Sequence, residues 1–497
     1  MRYLALVVWG LSVLAVGGWL RFSNLERQPF HADEAATGAQ SLADRLEGKG
    51  YEFDPSHRHG PLLTVIAEPW CRAKGETSWE TLNERTLRQL VAVCGLMAAF
   101  GSLALGLGWI RALVAASLAA TSPLLIYYSR LFIHEPVFLL VAVPSLAGAI
   151  LLLKGSRLWL GASLFGVGVG LMAATRETVM ISLIAWTVAG VLYLRRQGEL
   201  KAITTKLCKP ILLAAGLALV LIFWFYTEGG KQPSGFLGFF TTYFNYETGE
   251  GHDKAFFYYL QLLAWPKLIV ARWWTEGAIL LLALCAYLDR SKTSITSLGR
   301  FFFEAGFVHL LVFSLFSYKT PWLPSLAWLH LCFAAGVGGV ALVQKFSGWG
   351  RWVVVVGLVA VTGWHGVQAQ RAAIRLAADG RNPYAYVPTS RDVTGLGKWL
   401  GEVKAVVPET DNRPIAVIGE EYWPLPWYLR GVGETGYWPA LPEGGAEFPI
   451  LIIMPTAYEE GSTPLQETHT FIPRGLRDEF PVMIAIRNDI WEAYQGR

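Results

Sequence analysis

Long apolar stretches, each close to the roughly 20 residues that cross a bilayer as a helix, alternate along most of this chain with short polar links. They cover residues 3–20, 87–107, 113–128, 131–153, 158–174, 179–194, 211–226, 277–288, 301–316, 326–343 and 352–367. The pattern predicts an α-helical polytopic membrane protein with about eleven transmembrane helices, several near the short end of the spanning range. The first stretch is longer than a signal-peptide core and lacks a small-residue cleavage site behind it, so it reads as an uncleaved first helix. Past Arg371 the continuous hydrophobicity stops. Short apolar runs at 415–418, 450–454 and 482–486, separated by turn-rich and helical segments, predict a small α/β domain over residues 371–497, leaving 1–370 as the transmembrane domain. Two further polar regions interrupt the bundle, 21–86 and 227–262. The first predicts interfacial helices over about 33–46 and 62–73.

Charge orients this bundle. With a cytoplasmic N-terminus, the links on that side hold fourteen Lys and Arg but only Glu199, Asp289 and Glu304, which the positive-inside rule favours. An odd helix count then sends the C-terminal domain outside, together with 21–86 and 227–262. The expected location is the cell membrane. The whole chain is only 16% charged, against about 25% for soluble proteins, and its net charge is +4, so nothing marks a nucleic-acid binder. Residues 371–497 are locally acidic, with 12 Lys+Arg against 17 Asp+Glu. Five widely spaced Cys form no disulfide framework or zinc-binding spacing.

Ionisable residues gather where the outer links meet the apolar stretches. The first outer link begins Pro29-Phe-His-Ala-Asp-Glu-Ala35. Its adjacent Asp33 and Glu34 suit a general base with its partner, or a divalent cation; acidic residues also favour the positive end of a helix, and the dipeptide fits both readings. His57 and His59, before a Gly60-Pro61 turn, suit proton transfer or metal ligation as well as a solvated loop. The link from Tyr127 places Arg130 in a turn, with His134 and Glu135 about one turn inside the next helix. Arg176-Glu-Thr178, Arg272 with Glu276, and Tyr318-Lys-Thr-Pro-Trp322 lie at the same level. Short outer links should be poor in Lys and Arg, so Arg130, Arg176 and Lys319 are exceptions. Any one cation could simply snorkel to headgroup phosphate; three at one depth, beside Asp33, Glu34 and Glu135, point to a shared site. Cations there suit a departing lipid phosphate, and a carboxylate suits activation of an acceptor hydroxyl or amide. A channel or carrier would place its charges near the bilayer midplane, which is almost free of them here.

These segments resemble the GT-C superfamily of polyprenyl-phosphate-sugar glycosyltransferases, which includes the protein O-mannosyltransferases and the lipid A aminoarabinose transferases. The prokaryotic branch described as flippase-activity-associated looks closer still. The resemblance rests on residues 30–35, His59-Gly-Pro61, 127–130, Gly251-His-Asp-Lys254, Tyr318-Lys-Thr-Pro-Trp322, 382–392 and 419–427, in order and on one membrane face. It implies inverting transfer of a hexosyl or pentosyl unit from a polyprenyl-phosphate-linked donor to an envelope glycan, lipid or protein acceptor. It further implies Asp33 as the base with Glu34 in support, Lys319, Arg130 and Arg176 on the donor phosphate, and His59, Glu135, Tyr128 and Tyr318 around the substrates. A divalent metal, where a member uses one, would sit on Asp33 and Glu135. The tail lacks the β-trefoil of eukaryotic O-mannosyltransferases, so a Ser/Thr acceptor does not follow. The alternative expectation is a lipid-linked-sugar flippase or its non-catalytic associate.

Overall fold

Each of the eleven apolar stretches folds as helix, the conformation that pairs every backbone polar group within one segment and so tolerates hydrocarbon. A computed structural model of the chain describes residues 2–50, 53–56, 59–245, 252–291, 293–477 and 480–496. Its helices are α1 (Arg2–Phe22), α2 (Gln40–Leu46), α3 (Leu62–Arg72), α4 (Glu84–Ala99), α5 (Trp109–Thr121), α6 (Pro123–Tyr128), α7 (Glu135–Leu153), α8 (Leu158–Ala173), α9 (Val179–Gln197) and α10 (Leu200–Tyr226). After these come α11 (Ser234–Asn245), α12 (Tyr258–Leu263), α13 (Gly277–Leu288), α14 (Ser294–Leu315), α15 (Ser325–Lys345), α16 (Gly348–Gln370), α17 (Leu396–Lys404), α18 (Leu425–Leu429), α19 (Tyr458–Ser462) and α20 (Asn488–Gln495). Among the described residues, seven segments, those of α1, α7, α9, α10, α14, α15 and α16, are long and apolar enough to cross a membrane; α5, α8 and α13 are shorter apolar helices.

The bundle is built around α15, in which every residue from Ser325 to Val340 is buried. Gly338 allows that depth: a Cβ there would lie 1.9 Å from the Leu282 carbonyl oxygen of α13. One stretch breaks where the sequence dictates, at Ser122-Pro123. The Ser122 hydroxyl caps Leu125 N, and Pro123 occupies the first turn of α6. For the same reason α7 begins later than its hydrophobicity suggested. Pro136 sits in the first turn, so Glu135 is the first helical residue and His134 its N-cap, rather than lying a turn inside. An apolar cavity of about 930 Å³ opens sideways between α1, α5, α15 and α16, lined by Val13, Leu20, Val114, Val359, Gly363 and Val367 among others.

The C-terminal unit is a mixed five-stranded sheet. Its strands are β3 (Ile415–Ile418), β4 (Thr435–Trp438), β5 (Ile450–Ile453), β6 (His469–Arg477) and β7 (Phe480–Arg487), in the order β4-β3-β5-β7-β6, while β1 (Lys267–Ile269) and β2 (Arg272–Trp274) form a separate hairpin. The central strands β3 and β5 are buried on both faces, hence their unbroken apolar runs. Ile415 and Val417 pack with α17, α18 and α20 on one face, while Ala416 and Ile418 pack with Leu451, Ile453 and Leu465 on the other. Aromatic residues fasten this unit to the bundle. Trp427 stacks on Phe30 at 4.1 Å and donates to Glu84 at 2.8 Å. The Tyr428 hydroxyl accepts from Phe30 N at 2.7 Å, and the Tyr384 hydroxyl donates to buried Glu276 at 2.7 Å.

Candidate active site

The two adjacent carboxylates of the first loop have opposite environments. Glu34 is fully buried and accepts from Arg88 Nε (2.8 Å) and Nη2 (2.6 Å), His31 N (3.0 Å) and Phe132 N (2.7 Å). Arg88 in turn donates to the carbonyls of Leu25, Gln28 and Pro29. This knot fixes the turn that leads into the π-helical segment Glu34–Ala39, a conformation common at functional sites. Asp33, one residue earlier, is left with its side chain 44% exposed. Its backbone N donates to His31 Nδ1 (3.1 Å), while His31 Nε2 lies 2.9 Å from the Tyr386 carbonyl, so one neutral tautomer satisfies both ring nitrogens.

Facing Asp33 is a wall drawn from three distant parts of the chain. His252 Nδ1 hydrogen-bonds the Tyr386 hydroxyl, and Trp322, Tyr318 and Tyr386 pack around His31 and His252. Asp253 and Tyr318 pair as an isolated antiparallel bridge. Burial, with the nearby Tyr318 and Asp33 oxygens, pushes the Tyr386 phenol up to about 12. Burial lowers His252 despite the opposing pull of Asp33. Arg477 reaches in from the C-terminal sheet, donating to the Glu421 carbonyl at 2.7 Å; its Nε is buried without a partner among the described residues. Glu421 itself stands in the left-handed region (φ 59°), which costs a non-glycine residue of order 1–3 kcal/mol and is tolerated where surroundings impose it.

A second cluster adjoins this wall. Arg176 forms an ion pair with Glu135, and Glu177 holds His59 Nδ1 at 3.1 Å. Burial alone would raise the Glu177 carboxyl, but His59 and Arg176 hold it well below the usual carboxylate range. Burial, helped by His59 and Arg176, depresses His134, whose ring lies edge-on to His59 at 5.0 Å. The chain makes this contact through Gly60: a Cβ there would fall 2.3 Å from the Ala174 carbonyl oxygen, which accepts from Leu62 N instead. Tyr318 lies between the clusters, within electrostatic reach of Asp33, Arg176 and Glu177.

The other expected residues are placed differently. Lys319 is buried, its ammonium donating to the carbonyls of Lys254 and Phe316. Arg130 is bound to the backbone. Its guanidinium is buried on the carbonyls of Leu20, Arg21 and Asn24, where it ties α1 to the turn before α7. The Tyr128 hydroxyl is likewise used, donating to the Tyr384 carbonyl. Arg272 does not pair with Glu276, whose carboxylate is taken by Ser122, Leu124 N, Trp328 and Tyr384. Asp33 and Glu135 do not fit a shared metal: Arg176 occupies Glu135, and no described group of three or more His, Cys, Asp or Glu converges on one point. His57 and Gly251 lie outside the described residues. His31, His252, Tyr386 and Glu421 fall inside motif segments noted in the sequence without being singled out there, and Arg477 carried no sequence signal at all.

No protein-family model matches the chain, and no curated protein matches it in sequence. Its fold is shared with solved structures. ArnT from Cupriavidus metallidurans in the apo state is 12% identical, with a TM-score of 0.63 over 99% of both chains. The same protein bound to undecaprenyl phosphate is 13% identical with a TM-score of 0.63, over 97% of this chain and 98% of that one. The archaeal oligosaccharyltransferase AglB from Archaeoglobus fulgidus, in complex with an inhibitory peptide and a dolichol-phosphate, is 12% identical with a TM-score of 0.52, over 93% of this chain and 73% of that one.

Proposed function

We propose that the chain is a membrane glycosyltransferase that takes a sugar from a polyprenyl-phosphate donor, with Asp33 as its base. The observation that carries this reading is the asymmetry of the carboxylate pair. Glu34 is saturated inside the protein, whereas Asp33 is held half-exposed at a cleft walled by His252, Tyr318, Tyr386 and Arg477. Full-length likeness of fold to a protein that binds undecaprenyl phosphate supports the choice of donor. The sideways apolar cavity offers room for a prenyl chain.

In the step envisaged, Asp33 accepts the proton of an acceptor hydroxyl as its oxygen bonds to the anomeric carbon. The bond from that carbon to the donor phosphate oxygen breaks, and the prenyl phosphate leaves with the electron pair. Charge growing on the leaving phosphate needs cations already in position. Lys319 and Arg176 are assigned that task, Arg176 with its orientation set by Glu135 and Glu177. Glu34, Arg88 and Arg130 act as positioning residues. The fourteen cations on one side of the bundle support a cytoplasmic N-terminus, with Asp33 on the outer face of the cell membrane. The test is transfer of labelled sugar in vesicles containing the purified protein and a prenyl-phosphate-sugar donor. Asp33→Asn should abolish transfer and Lys319→Ala should weaken use of the donor; full transfer by Asp33→Asn removes the base.

A further inference from the structure

Between the β1–β2 hairpin and the end of α16 lies a second cavity, of about 380 Å³, lined by Val270, Arg272, Arg371, Arg375 and Leu376. It gathers three arginines and no acid. Arg371 is fixed by a bond to the Ile269 carbonyl (3.0 Å), with its guanidinium over the Trp274 ring. The side chains of Arg272 and Arg375 make no ion pair or hydrogen bond among the described residues. The acids nearest in sequence, Glu276 and Asp379, have their carboxylates engaged elsewhere, Glu276 by Ser122, Leu124 N, Trp328 and Tyr384 and Asp379 by Arg381. Three uncompensated guanidiniums lining one cavity suit a phosphate, which accepts several charge-assisted bonds at once.

The hairpin beside the arginines is apolar and exposed. Its two-residue turn, Val270-Ala271, has both residues in the left-handed region (φ 48° and 56°). Asn-Gly would adopt that turn freely, whereas a β-branched residue is strained there. An apolar turn is kept in spite of the strain. Leu268 and Trp273, paired across the strands, turn the same apolar character outward and are 65% and 60% exposed. The depth agrees: the apolar segment Gly348–Arg375 has 28 residues, or about 42 Å of helix against a hydrocarbon core of about 30 Å. Arg371 and Arg375, at its end, therefore emerge at headgroup level. An apolar tip in front of a cluster of cations matches the boundary between acyl chains and headgroups.

We propose that this pocket binds the phosphate of an anionic phospholipid headgroup, with the lipid chains lying against Leu268, Val270 and Trp273. The site is separate from the Asp33 cleft and holds whether or not the chain transfers sugar. It also shares no lining residue with the large lateral cavity. Gln370 lines that cavity, while Arg371 is turned about 100° around the helix axis onto the hairpin.

The test is native mass spectrometry of the full-length protein in detergent, with phosphatidylglycerol, phosphatidylethanolamine and inorganic phosphate as separate probes. The wild type should retain phosphatidylglycerol in preference to phosphatidylethanolamine, and rising salt should displace it. Arg272→Gln/Arg375→Gln should weaken it by about fivefold per arginine, ~25-fold together. Equal retention by the double variant overturns the proposal, and so does retention indifferent to salt. Inorganic phosphate binding as tightly as the lipid overturns the lipid assignment in favour of a free anion. Leu268→Ser/Trp273→Ser keeps the cations and should lower lipid retention without altering the weak binding of inorganic phosphate; unchanged lipid retention contradicts the role of the hairpin.

Discussion

Neutralising each member of the Asp33–Glu34 pair in turn separates chemistry from scaffold. Glu34→Gln keeps the shape of the side chain but removes the only carboxylate bonded to Arg88 among the described residues, and Arg88 is itself fully buried. A guanidinium left uncompensated at zero exposure is the costly half of a buried pair, and breaking such pairs costs about 3–5 kcal/mol. Part of the loss is local. A Gln amide still accepts through one oxygen, but its NH2 faces donors where Glu34 had a second acceptor for Arg88 Nη2 and His31 N. Asp33→Asn should change stability by no more than about 0.5 kcal/mol, because its side chain is half-exposed and keeps its shape. It should nonetheless lower transfer by 10²-fold or more, the typical contribution of a general base.

Both quantities can be read on the same detergent-purified samples, as a thermal unfolding midpoint and as sugar transferred per unit of folded protein. The expected pattern is crossed. Asp33→Asn melts like the wild type and is inactive, while Glu34→Gln melts several degrees lower and its surviving folded fraction retains a measurable rate. A Glu34→Gln protein that melts normally but has lost transfer would refute the argument, since Glu34 would then act in the reaction. Asp33→Asn melting far below the wild type would show that the half-exposed carboxylate is structural.

Three further outcomes follow from the same geometry. Arg176→Gln should destabilise by about 3–5 kcal/mol, because it leaves the buried Glu135 carboxylate unpaired, and Glu135→Gln by less, because Arg176 keeps Glu177; the double variant should cost less than their sum, and additive losses in a double-mutant cycle would show that the two do not act as a pair. Gly363→Phe projects into the lateral cavity, where a Cβ meets nothing within 4 Å, so it should raise KM for a long-chain prenyl donor with little change in melting; an unchanged KM excludes that cavity as the site of the chain. His134, beside His59, Arg176 and Glu177, has its pKa depressed by burial, so the unfolded chain binds the extra proton and stability should fall as pH drops below about 6.5. Glu177, held well below the usual range, stays ionised across that window and adds no slope; His134→Gln should flatten the dependence of the melting midpoint between pH 7.5 and 5.5, and a slope unchanged by that variant refutes the assignment.

Hydrophobicity made the bundle legible because a bilayer demands length and apolarity of each helix in turn. It was less informative where proline set the boundary, as at Pro136, and in the C-terminal unit it revealed only strands buried in the sheet. The runs at 415–418, 450–454 and 482–486 became β3, β5 and β7. The edge strands β4 and β6 stayed hidden: one face of each remains partly solvated, so Thr435–Trp438 and His469–Arg477 carry no apolar run. Asp33 was legible as half of a pair, but the difference between the two carboxylates was not. That difference depends on Arg88, 54 residues further on from Glu34, and on a backbone N–H at Phe132.

Counting charges at one depth identified a seam but could not show which charges were already neutralised, and neutralisation is what separates structure from chemistry here. Arg88 and Arg130 are each bound by carboxylates or carbonyls of the protein, so they fix the positions of loops. Groups that keep capacity for a ligand are those whose partners do not match them. Asp33 lies half in solvent, Arg477 keeps a buried Nε unbonded, and Arg272 and Arg375 face Arg371 without an acid. Asp33 and Arg477 come from the two ends of the chain and meet only because Trp427, Tyr428 and Tyr384 clamp the C-terminal sheet onto the first loop and the bundle. Loosening that clamp should therefore disable the cleft while leaving every residue that lines it intact. Trp427→Ala tests this directly: it deletes the stack on Phe30 and the bond to Glu84, so transfer should fall although Asp33 is untouched, and a fully active Trp427→Ala would show that the sheet contributes nothing to the site.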